Sequence, residues 1–374
     1  MIDTKVKKRI DIQLLFLVYI IAAIGVLAIY STTRLDPHRA HTMYPHIKQL
    51  LGLGIGTGAM IAIALFDFHF YERLLWPLYW FNLLQLLLTK IPRLAVKTLG
   101  GARWVKLGPI QYQPSEIAKI ILILTLAAFL LKYRKRLHEP KYLLLSFAFI
   151  LPPMLMIAAQ PDLGSSLVLV VVWLGMVYVS GAKLKHLAAI FGAGLILFTG
   201  MAVTGIGLKK WQQARIKTLI SPDKVTKNDR YHTEEARIAI GSGGVFGKGM
   251  FKNNFITQGH LPEKESDFIF SDIGEEYGFV GCLSVIGLYA LLIWRAIRIV
   301  ALSDEDPYGK MIAAGIVSLI TFHVIENIGM NVGVMPVAGI PLLLLSCGTT
   351  SVLMTMICIG LLEGVMIHRH KLMF

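Results

Sequence analysis

The chain has 374 residues, of which 55% are hydrophobic and only 16% charged, and its mean hydropathy is +0.63. Because a soluble domain carries about 25% charged residues, this composition excludes a soluble globular protein. The formal net charge of +14 raises nucleic-acid binding as a class, but the chain has no platform of interleaved aromatic and basic residues, which argues against it.

Apolar runs long enough to cross a hydrocarbon core of about 30 Å recur along the chain. They predict an all-α integral membrane protein with about ten transmembrane helices in a single domain, residues 1–374. The predicted spans are 12–31, 46–66, 71–89, 115–133, 141–159, 164–181, 186–206, 269–294, 310–329 and 339–367. The first span has no small-residue cleavage site after it and is predicted to be retained. Basic segments such as 131–141 and 368–371 flank alternate spans, so both termini are predicted to be cytoplasmic.

This topology places two long loops, 90–114 and 207–268, on the outer face. The first loop contains five cations and no acid: Lys90, Arg93, Lys97, Arg103 and Lys106. Positive charge on the outer side opposes the usual orientation bias. An anionic ligand at the outer surface is the simplest explanation.

The second loop has internal order. Residues 207–219 have the spacing of an interfacial amphipathic helix, and Thr233 to Ile240 are predicted to be helical before the glycines of GSGGVFGKG, residues 241–249, end that helix. The glycine segment fails the phosphate-loop pattern because Ser242 stands at the first glycine position. Its backbone amides, together with Lys248, can still bind an anion.

Asp267 lies where the second loop meets the span at 269–294. A carboxylate in a partly dehydrated mouth has a raised pKa and can accept a proton from a sugar hydroxyl, which predicts a general base. The alternative is that Asp267, or Ser266 beside it, is only the N-cap of the helix that follows. Position alone favours the cap.

Glu116 and Lys119 are three residues apart at the start of a span, so they share one helical face and can pair. Ionisable groups within a membrane are costly and by default indicate a functional site. A structural salt bridge between helices is the equally weighted alternative. Asp162, Glu326 and Asn327 indicate that several spans contribute to one polar cavity.

In GGARWVKLG, Arg103 and Lys106 flank Trp104. Arginine binds phosphate in a bidentate manner and lysine adds a point charge, whereas tryptophan offers a flat face for a sugar ring. The alternative is a tryptophan of the aromatic belt with neighbours that extend toward the headgroups.

Two other features are interpreted as structural. Gly54 and Gly58 form a G-x-x-x-G in the second span and predict close helix packing. The histidines have no zinc-type spacing, and the three cysteines lie in apolar stretches as buried thiols, so no transition-metal site or disulfide is predicted.

Seven segments, taken in chain order, resemble one known family. They are GGARWVKLG, QPSEIAK, DLGSS, IAIGSGGVFGKG, HLPEKESDFIF, GEEYGFVG and NIGMNVGVMPVAGIPL. Together they are similar to the motifs of the SEDS family (shape, elongation, division and sporulation), and the resemblance covers nearly the whole chain. The last segment is more similar to the elongation members of the family than to its division members. The stretches EEAR (234–237) and LLLLSCGTT (342–350) depart from the family pattern.

The resemblance implies a multi-pass peptidoglycan glycosyltransferase of the bacterial cytoplasmic membrane, which joins lipid II units into glycan strands on the outer face for elongation and shape. It also implies a class B penicillin-binding protein as the cross-linking partner. The family's essential aspartate corresponds to Asp267, its paired glutamate and lysine to Glu116 and Lys119, and its outer-loop arginine and tryptophan to Arg103 and Trp104.

The mechanism expected here has Asp267 deprotonate the acceptor 4-hydroxyl, which attacks the donor anomeric carbon with inversion. The lipid pyrophosphate leaves without a general acid if cations stabilise its charge. The candidate cations are Arg103, Lys106, Lys119 and Lys248, with a divalent ion such as Mg²⁺ or Mn²⁺ left open.

Two other functional classes are alternatives. A lipid II flippase would use the same basic cavity, but transport needs no base at the outer mouth. An ion-coupled solute transporter would show inverted repeats and broken midplane helices; the sequence has no such repeat, and the large outer loop also argues against this class.

Overall fold

The computed structural model describes residues 10–33, 44–98, 101–108, 110–190, 227–252 and 265–368, with three isolated glycines at 192, 194 and 200. The described part of the chain is mostly helical (76%). Within the described ranges, seven helices are long and apolar enough to cross a membrane, and an eighth apolar helix, Leu163–Val179, is shorter.

The helices, in chain order, are α1 (Ile12–Thr33), α2 (Pro45–Leu65), α3 (Phe70–Arg73), α4 (Leu75–Leu87), α5 (Pro114–Tyr133), α6 (Pro140–Ala158), α7 (Leu163–Val179), α8 (Lys227–Ser242), α9 (Ile269–Leu302), α10 (Pro307–Asn331) and α11 (Thr349–His368). The strands are β1 (Ala95–Thr98), β2 (Gly101–Leu107) and β3 (Ile110–Tyr112).

Several helices begin where the local sequence predicts. Proline, whose fixed φ and missing N–H suit a first turn, opens α2, α5, α6 and α10. Asp162 caps α7 by accepting from Ser165 N at 3.1 Å, and Asp306 caps α10 by accepting from Gly309 N at 3.0 Å. These caps remove orphan backbone donors at the helix ends.

Most predicted spans coincide with a helix to within a few residues. The span predicted at 71–89 is divided into the short helices α3 and α4. The span predicted at 339–367 begins only at Thr349, because residues 335–348 are not helical. Most of the predicted span 186–206 and the amphipathic segment 207–219 lie outside the described residues.

The first long loop corrects the all-α prediction. Residues 95–112 form a three-stranded antiparallel sheet in the order β1-β2-β3, with Trp104 opposite Val96 and Lys106 opposite Gln111. Val105, in the middle of β2, is fully buried. The loop is therefore a small folded unit attached to the start of α5.

Helix α5 lies at the centre of the bundle, because 89% of the residues in its apolar part are buried. Helix α2 is peripheral, because the same buried fraction is only 22%. Helices α2 and α11 pack closely through Gly56 and Gly360, where an added Cβ would lie 2.9 Å from Met356 Cγ and 2.6 Å from Met60 O. The predicted packing through Gly54 and Gly58 is wrong. Among the residues that the structure describes, no atom lies within 4 Å of a Cβ built at either position, and the glycines that pack are Gly52 and Gly56 instead.

Helix α9 is kinked at Gly278, whose φ of 66° and ψ of −159° are not helical. The glycine loop, residues 243–249, docks against this kink. Phe279 N donates to Gly244 O at 2.9 Å and Lys248 N donates to Glu275 O at 3.0 Å. A Cβ on Gly247 would lie 2.1 Å from Glu276 O, so only glycine permits the approach. The glycine loop, which resembles a phosphate-binding loop, is thus packed against helix α9 of its own chain.

A charged cluster lies at the N-terminal end of α10, beside its N-cap residue Asp306. His69 Nδ1 is 2.8 Å from Asp67 Oδ1, and His69 Nε2 is 3.2 Å from Asp306 Oδ2. The Asp306 carboxylate is the main cause that raises the pKa of His69 to about 9, against partial burial, and Asp67 adds to the effect. The cluster fixes the turn after α2 to the start of α10.

Candidate functional site

The non-helical stretch between α10 and α11 contains the AGIP segment, residues 338–341, which is contacted from several elements. Ala338 N donates to Glu326 Oε1 (3.2 Å), Ile340 O accepts from Asn327 Nδ2 (2.9 Å), and Pro341 O lies 3.0 Å from His323 Nδ1. On its other side, a Cβ on Gly164 in α7 would lie 2.9 Å from Ala338 O. The segment is therefore held between α10 and the start of α7.

Asp267 lies against this segment. Gly339 has a φ of +70°, and a Cβ added there would lie 3.4 Å from Asp267 Oδ2. The backbone carbonyl of Asp267 accepts from the side-chain amides of Asn327, at 3.0 Å, and Asn331, at 3.1 Å. The amide of Asn327 thus joins Asp267 to the AGIP segment, because it also donates to Ile340 O. These bonds hold the backbone that carries the carboxylate.

The alternative interpretation of Asp267 as a helix cap does not fit this geometry. The N-cap of α9 is Phe268, one residue later, and no side-chain hydrogen bond is made from the cap position. Asp267 itself is partly buried in a turn before the helix. The assigned N-cap thus lies one residue after the predicted position, and the role of Asp267 as a base stays a prediction.

Glu116 and Lys119 form the predicted pair. Lys119 Nζ is 2.7 Å from Glu116 Oε1, and the two residues are 2% and 4% exposed. Lys119 Nζ is also 3.1 Å from His323 Nε2, and His323 is fully buried. Since the other ring nitrogen of His323 contacts Pro341 O, the pair is connected to the AGIP segment and not isolated inside the bundle.

Asp162 has a defined structural role. Besides capping α7, its Oδ2 lies 3.4 Å from both Gln113 Nε2 and Ser115 Oγ, so it joins the start of α7 to the start of α5. Gly164, two residues later, carries the contact with Ala338. Asp162 therefore orients the helix starts that flank the candidate site, and its predicted contact with substrate stays a prediction.

The three candidates of β2 do not share one face. Side chains alternate along a strand, so Arg103 faces the side opposite to Trp104 and Lys106. The Arg103 guanidinium donates to Pro161 O, next to Asp162, while its Nε is buried without a hydrogen-bond partner among the described residues. Lys106 is exposed and Trp104 half-buried. Arg103 is thus the one that adjoins the start of α7.

Lys248 lies in the glycine loop and pairs with a buried acid. Its Nζ is 2.7 Å from Glu275 Oε1, and the Glu275 side chain is fully buried. A substrate phosphate would have to compete with this carboxylate. No group of three or more His, Cys, Asp or Glu side chains suited to a metal ion is found in the described parts of the chain.

His323, Asn331 and Gly339 were missed by the sequence analysis. A signal for two of them exists, because His323, Asn327 and Asn331 are spaced by four residues and form a polar stripe along one face of an apolar helix. No local pattern indicates that Gly339 approaches Asp267, which is 72 positions earlier in the chain. That contact depends on how α9 and α10 pack.

The site combines the Asp267 carboxylate just before α9, the buried Glu116–Lys119 ion pair, and Arg103 on the adjoining sheet. The carboxylate can accept a proton from a bound hydroxyl. The ammonium and guanidinium can stabilise negative charge that develops on a leaving group. Such a set suits transfer of a group from an anionic leaving group to a hydroxyl.

Comparisons with known proteins agree with this chemistry. A profile of the family described as cell cycle protein, which comprises FtsW, RodA and SpoVE, matches residues 12–371. Stage V sporulation protein E of Bacillus subtilis (strain 168) is 31% identical, over 97% of this chain and 98% of the relative. Peptidoglycan glycosyltransferase MrdB of Escherichia coli (strain K12) is also 31% identical, over 98% and 96%.

Solved structures share the fold. A chain from a peptidoglycan synthase complex, described as coordinating polymerization and crosslinking, has a TM-score of 0.80 at 28% identity and covers 97% of this chain and 99% of its own. The rod shape determining protein RodA of Thermus thermophilus has a TM-score of 0.68 at 27% identity, over 96% and 98%. With its seven span candidates, the chain is a multi-pass membrane protein that belongs to the FtsW, RodA and SpoVE family of cell cycle proteins.

Proposed function

We propose that this protein is a peptidoglycan glycosyltransferase that polymerises lipid II into glycan strands on the outer face of the bacterial cytoplasmic membrane, for cell elongation and shape. The reaction class follows from relatives that are named peptidoglycan glycosyltransferases and align over nearly the whole chain. Lipid II as substrate and the outer face as location are our extension of that class.

The observation that carries the proposal is the position of Asp267. Its carboxylate lies against Gly339, and its backbone is fixed by two buried asparagines of α10. The same AGIP segment is connected through His323 to the Glu116–Lys119 pair. A candidate base and a buried cation are therefore linked by a short, well-bonded stretch of chain, which favours catalysis over a role in helix capping.

In the proposed reaction, Asp267 accepts the proton of the acceptor 4-hydroxyl as its oxygen attacks the anomeric carbon of the donor. The bond from that carbon to the lipid pyrophosphate breaks with inversion, and the pyrophosphate leaves as an anion. A pyrophosphate is a good leaving group when its charge is stabilised, so a second carboxylic acid of the kind used in glycoside hydrolysis is not required.

Arg103 and Lys119 are the cations we assign first to the pyrophosphate. Arg103 has a buried Nε without a partner among the described residues, and its planar guanidinium suits phosphate oxygens. Lys106 is exposed on the other face of β2 and would contact a more distant part of the substrate. Lys248 is ranked last because Glu275 already pairs with it.

The topology we propose has ten membrane-spanning helices in one domain of residues 1–374, both termini in the cytoplasm, and loops 90–114 and 207–268 outside. The positive-inside bias supports this orientation. A class B penicillin-binding protein is the proposed partner, since one structural relative belongs to a synthase complex that coordinates polymerization and crosslinking.

The test is glycan polymerisation by purified protein in detergent, with lipid II as substrate and with or without a class B partner. Wild type should form long strands, and Asp267→Asn should form essentially none. Asp304→Asn is the matched control, because Asp304 is 71% exposed and pairs with Lys310 far from the candidate site. Equal melting temperatures would exclude misfolding as the cause of the loss.

Two outcomes would contradict the proposal in different ways. Full polymerising activity in Asp267→Asn would eliminate Asp267 as the base while leaving the reaction class intact. Absence of strands from wild type under every condition, together with scrambling of lipid II between the leaflets of liposomes, would instead favour the flippase.

A further inference from the structure

We infer that His323 is a positioning residue for this reaction: its Nε2 holds the Lys119 ammonium in place, and its Nδ1 is anchored on the AGIP segment. The inference rests on the proposed function, since it concerns how the same site is held. It adds a residue that acts through Lys119 and does not itself contact the reacting atoms.

The two contacts of His323 define its tautomer. Pro341 O is a pure acceptor and lies 3.0 Å from Nδ1, so Nδ1 carries the hydrogen and donates it. Lys119 Nζ is a pure donor and lies 3.1 Å from Nε2, so Nε2 presents its lone pair. The ring is therefore neutral, and the bond at one nitrogen prepares the other to accept from the ammonium.

His323 gives Lys119 a second hydrogen-bond acceptor that carries no negative charge. An ammonium has three N–H donors. In the part of the chain that the structure describes, two acceptors contact it, the Glu116 carboxylate at 2.7 Å and the neutral imidazole at 3.1 Å. One donor is left for an anion of the substrate. A second carboxylate in place of the imidazole would give the site a net negative charge, which would oppose a pyrophosphate.

The location of His323 favours positioning over simple packing. It is fully buried in the middle of α10, where an apolar residue would avoid the cost of burying a polar ring. Its polar stripe continues through Asn327 and Asn331, which hold the backbone of Asp267. One face of α10 thus fixes both the candidate base and, through His323, the candidate cation.

Two conservative substitutions separate the two bonds. In His323→Gln, the side-chain carbonyl can extend to the place of Nε2 and accept from Lys119, while the bond to Pro341 is lost. In His323→Asn, the shorter amide can donate to Pro341 as Nδ1 does, but it does not reach Lys119. His323→Phe keeps the ring shape and removes both bonds. The readouts are kcat/KM for lipid II polymerisation, equilibrium binding of lipid II, and melting temperature.

The expected order is that His323→Gln stays within about threefold of wild type in kcat/KM, while His323→Asn and His323→Phe lose about tenfold or more. The Gln and Asn variants should melt at similar temperatures, because each loses one buried hydrogen bond. A purely structural role would move activity and melting temperature together and would not rank Gln above Asn.

An Asn variant as active as the Gln variant, or a fully active Phe variant, would overturn the inference. If His323→Phe fails to fold, the comparison of Gln with Asn still decides. If wild type binds lipid II but forms no strands, the proposed function fails on its own, and the order of lipid II affinities among the variants still tests whether His323 positions Lys119.

Discussion

Replacement of Lys119 by methionine should destabilise the protein by about 3–5 kcal/mol, because the Glu116 carboxylate is then buried without its cation. Glu116 and Lys119 are 4% and 2% exposed, so most of the carboxylate's lost interaction is not regained from solvent. Methionine has nearly the length of lysine and fills the same space, which keeps a cavity from contributing to the loss.

The magnitude follows from the geometry. Unit charges 2.7 Å apart attract by roughly 6 kcal/mol at an effective dielectric constant of about 20. Much of this offsets the cost of burying both charges, so the pair contributes little in net terms, whereas removal of one partner exposes the full cost of the other. The double variant Glu116→Gln with Lys119→Met should therefore lose only about 1–2 kcal/mol, mainly from the His323 Nε2 left without a donor.

The assay is thermal unfolding in detergent, followed by tryptophan fluorescence, for wild type, both single variants and the double variant. Lys119→Met should melt about 5–10 °C below wild type, and adding Glu116→Gln should restore more than half of that difference. Additive losses, with the double variant melting below Lys119→Met, would refute the reasoning that the two buried charges compensate each other.

Two further predictions concern other parts of the molecule. Gly339→Ala should lose about 1–2 kcal/mol, because its φ of +70° disfavours a side chain. Polymerisation should fall at least about tenfold, because the backbone of the AGIP segment must shift beside Asp267 to relieve this strain. Gly54→Ala is the control: no atom of the described residues lies within 4 Å of a Cβ at this position, so activity should be unchanged and the melting temperature should not fall. The pKa of His69 is raised to about 9 in the folded protein, so its stabilisation is fully present below about pH 6.5 and is lost as pH rises through about 9. The melting temperature should thus fall between about pH 7 and 10. His69→Gln should flatten this pH dependence, whereas the control His138→Gln, at an exposed loop position, should not. An unchanged pH dependence in His69→Gln would contradict the assignment to His69.

The sequence anticipated the helices well, because the length of an apolar run and the proline or aspartate before it are local properties. It failed where tertiary contacts override local preference. Residues 335–348 look apolar enough to continue a helix, but the AGIP segment makes its hydrogen bonds to side chains of α10 instead. The sheet at 95–112 is not predicted, because its strands are only 4, 7 and 3 residues long and runs this short give a weak strand signal.

The candidate site shows the same division. Glu116 and Lys119 could be paired from their spacing, since three residues along a helix bring two side chains onto one face. Asp267 could be singled out by its place between a hydrophilic loop and a span. The connection between Asp267 and the Glu116–Lys119 pair could not be predicted, because spacing along the chain carries no information about contacts between distant helices.

What the sequence alone determined is therefore the class of protein, the helix starts and the identity of the charged residues, all of which depend on composition and near neighbours. Only the tertiary structure decided that Asp267 lies against Gly339, that Lys119 has His323 as a second partner, and that the AGIP segment connects them. The physical reason is that a buried polar group must find a hydrogen-bond partner wherever packing provides one, and for Lys119 packing provides it through His323, which is 204 positions away.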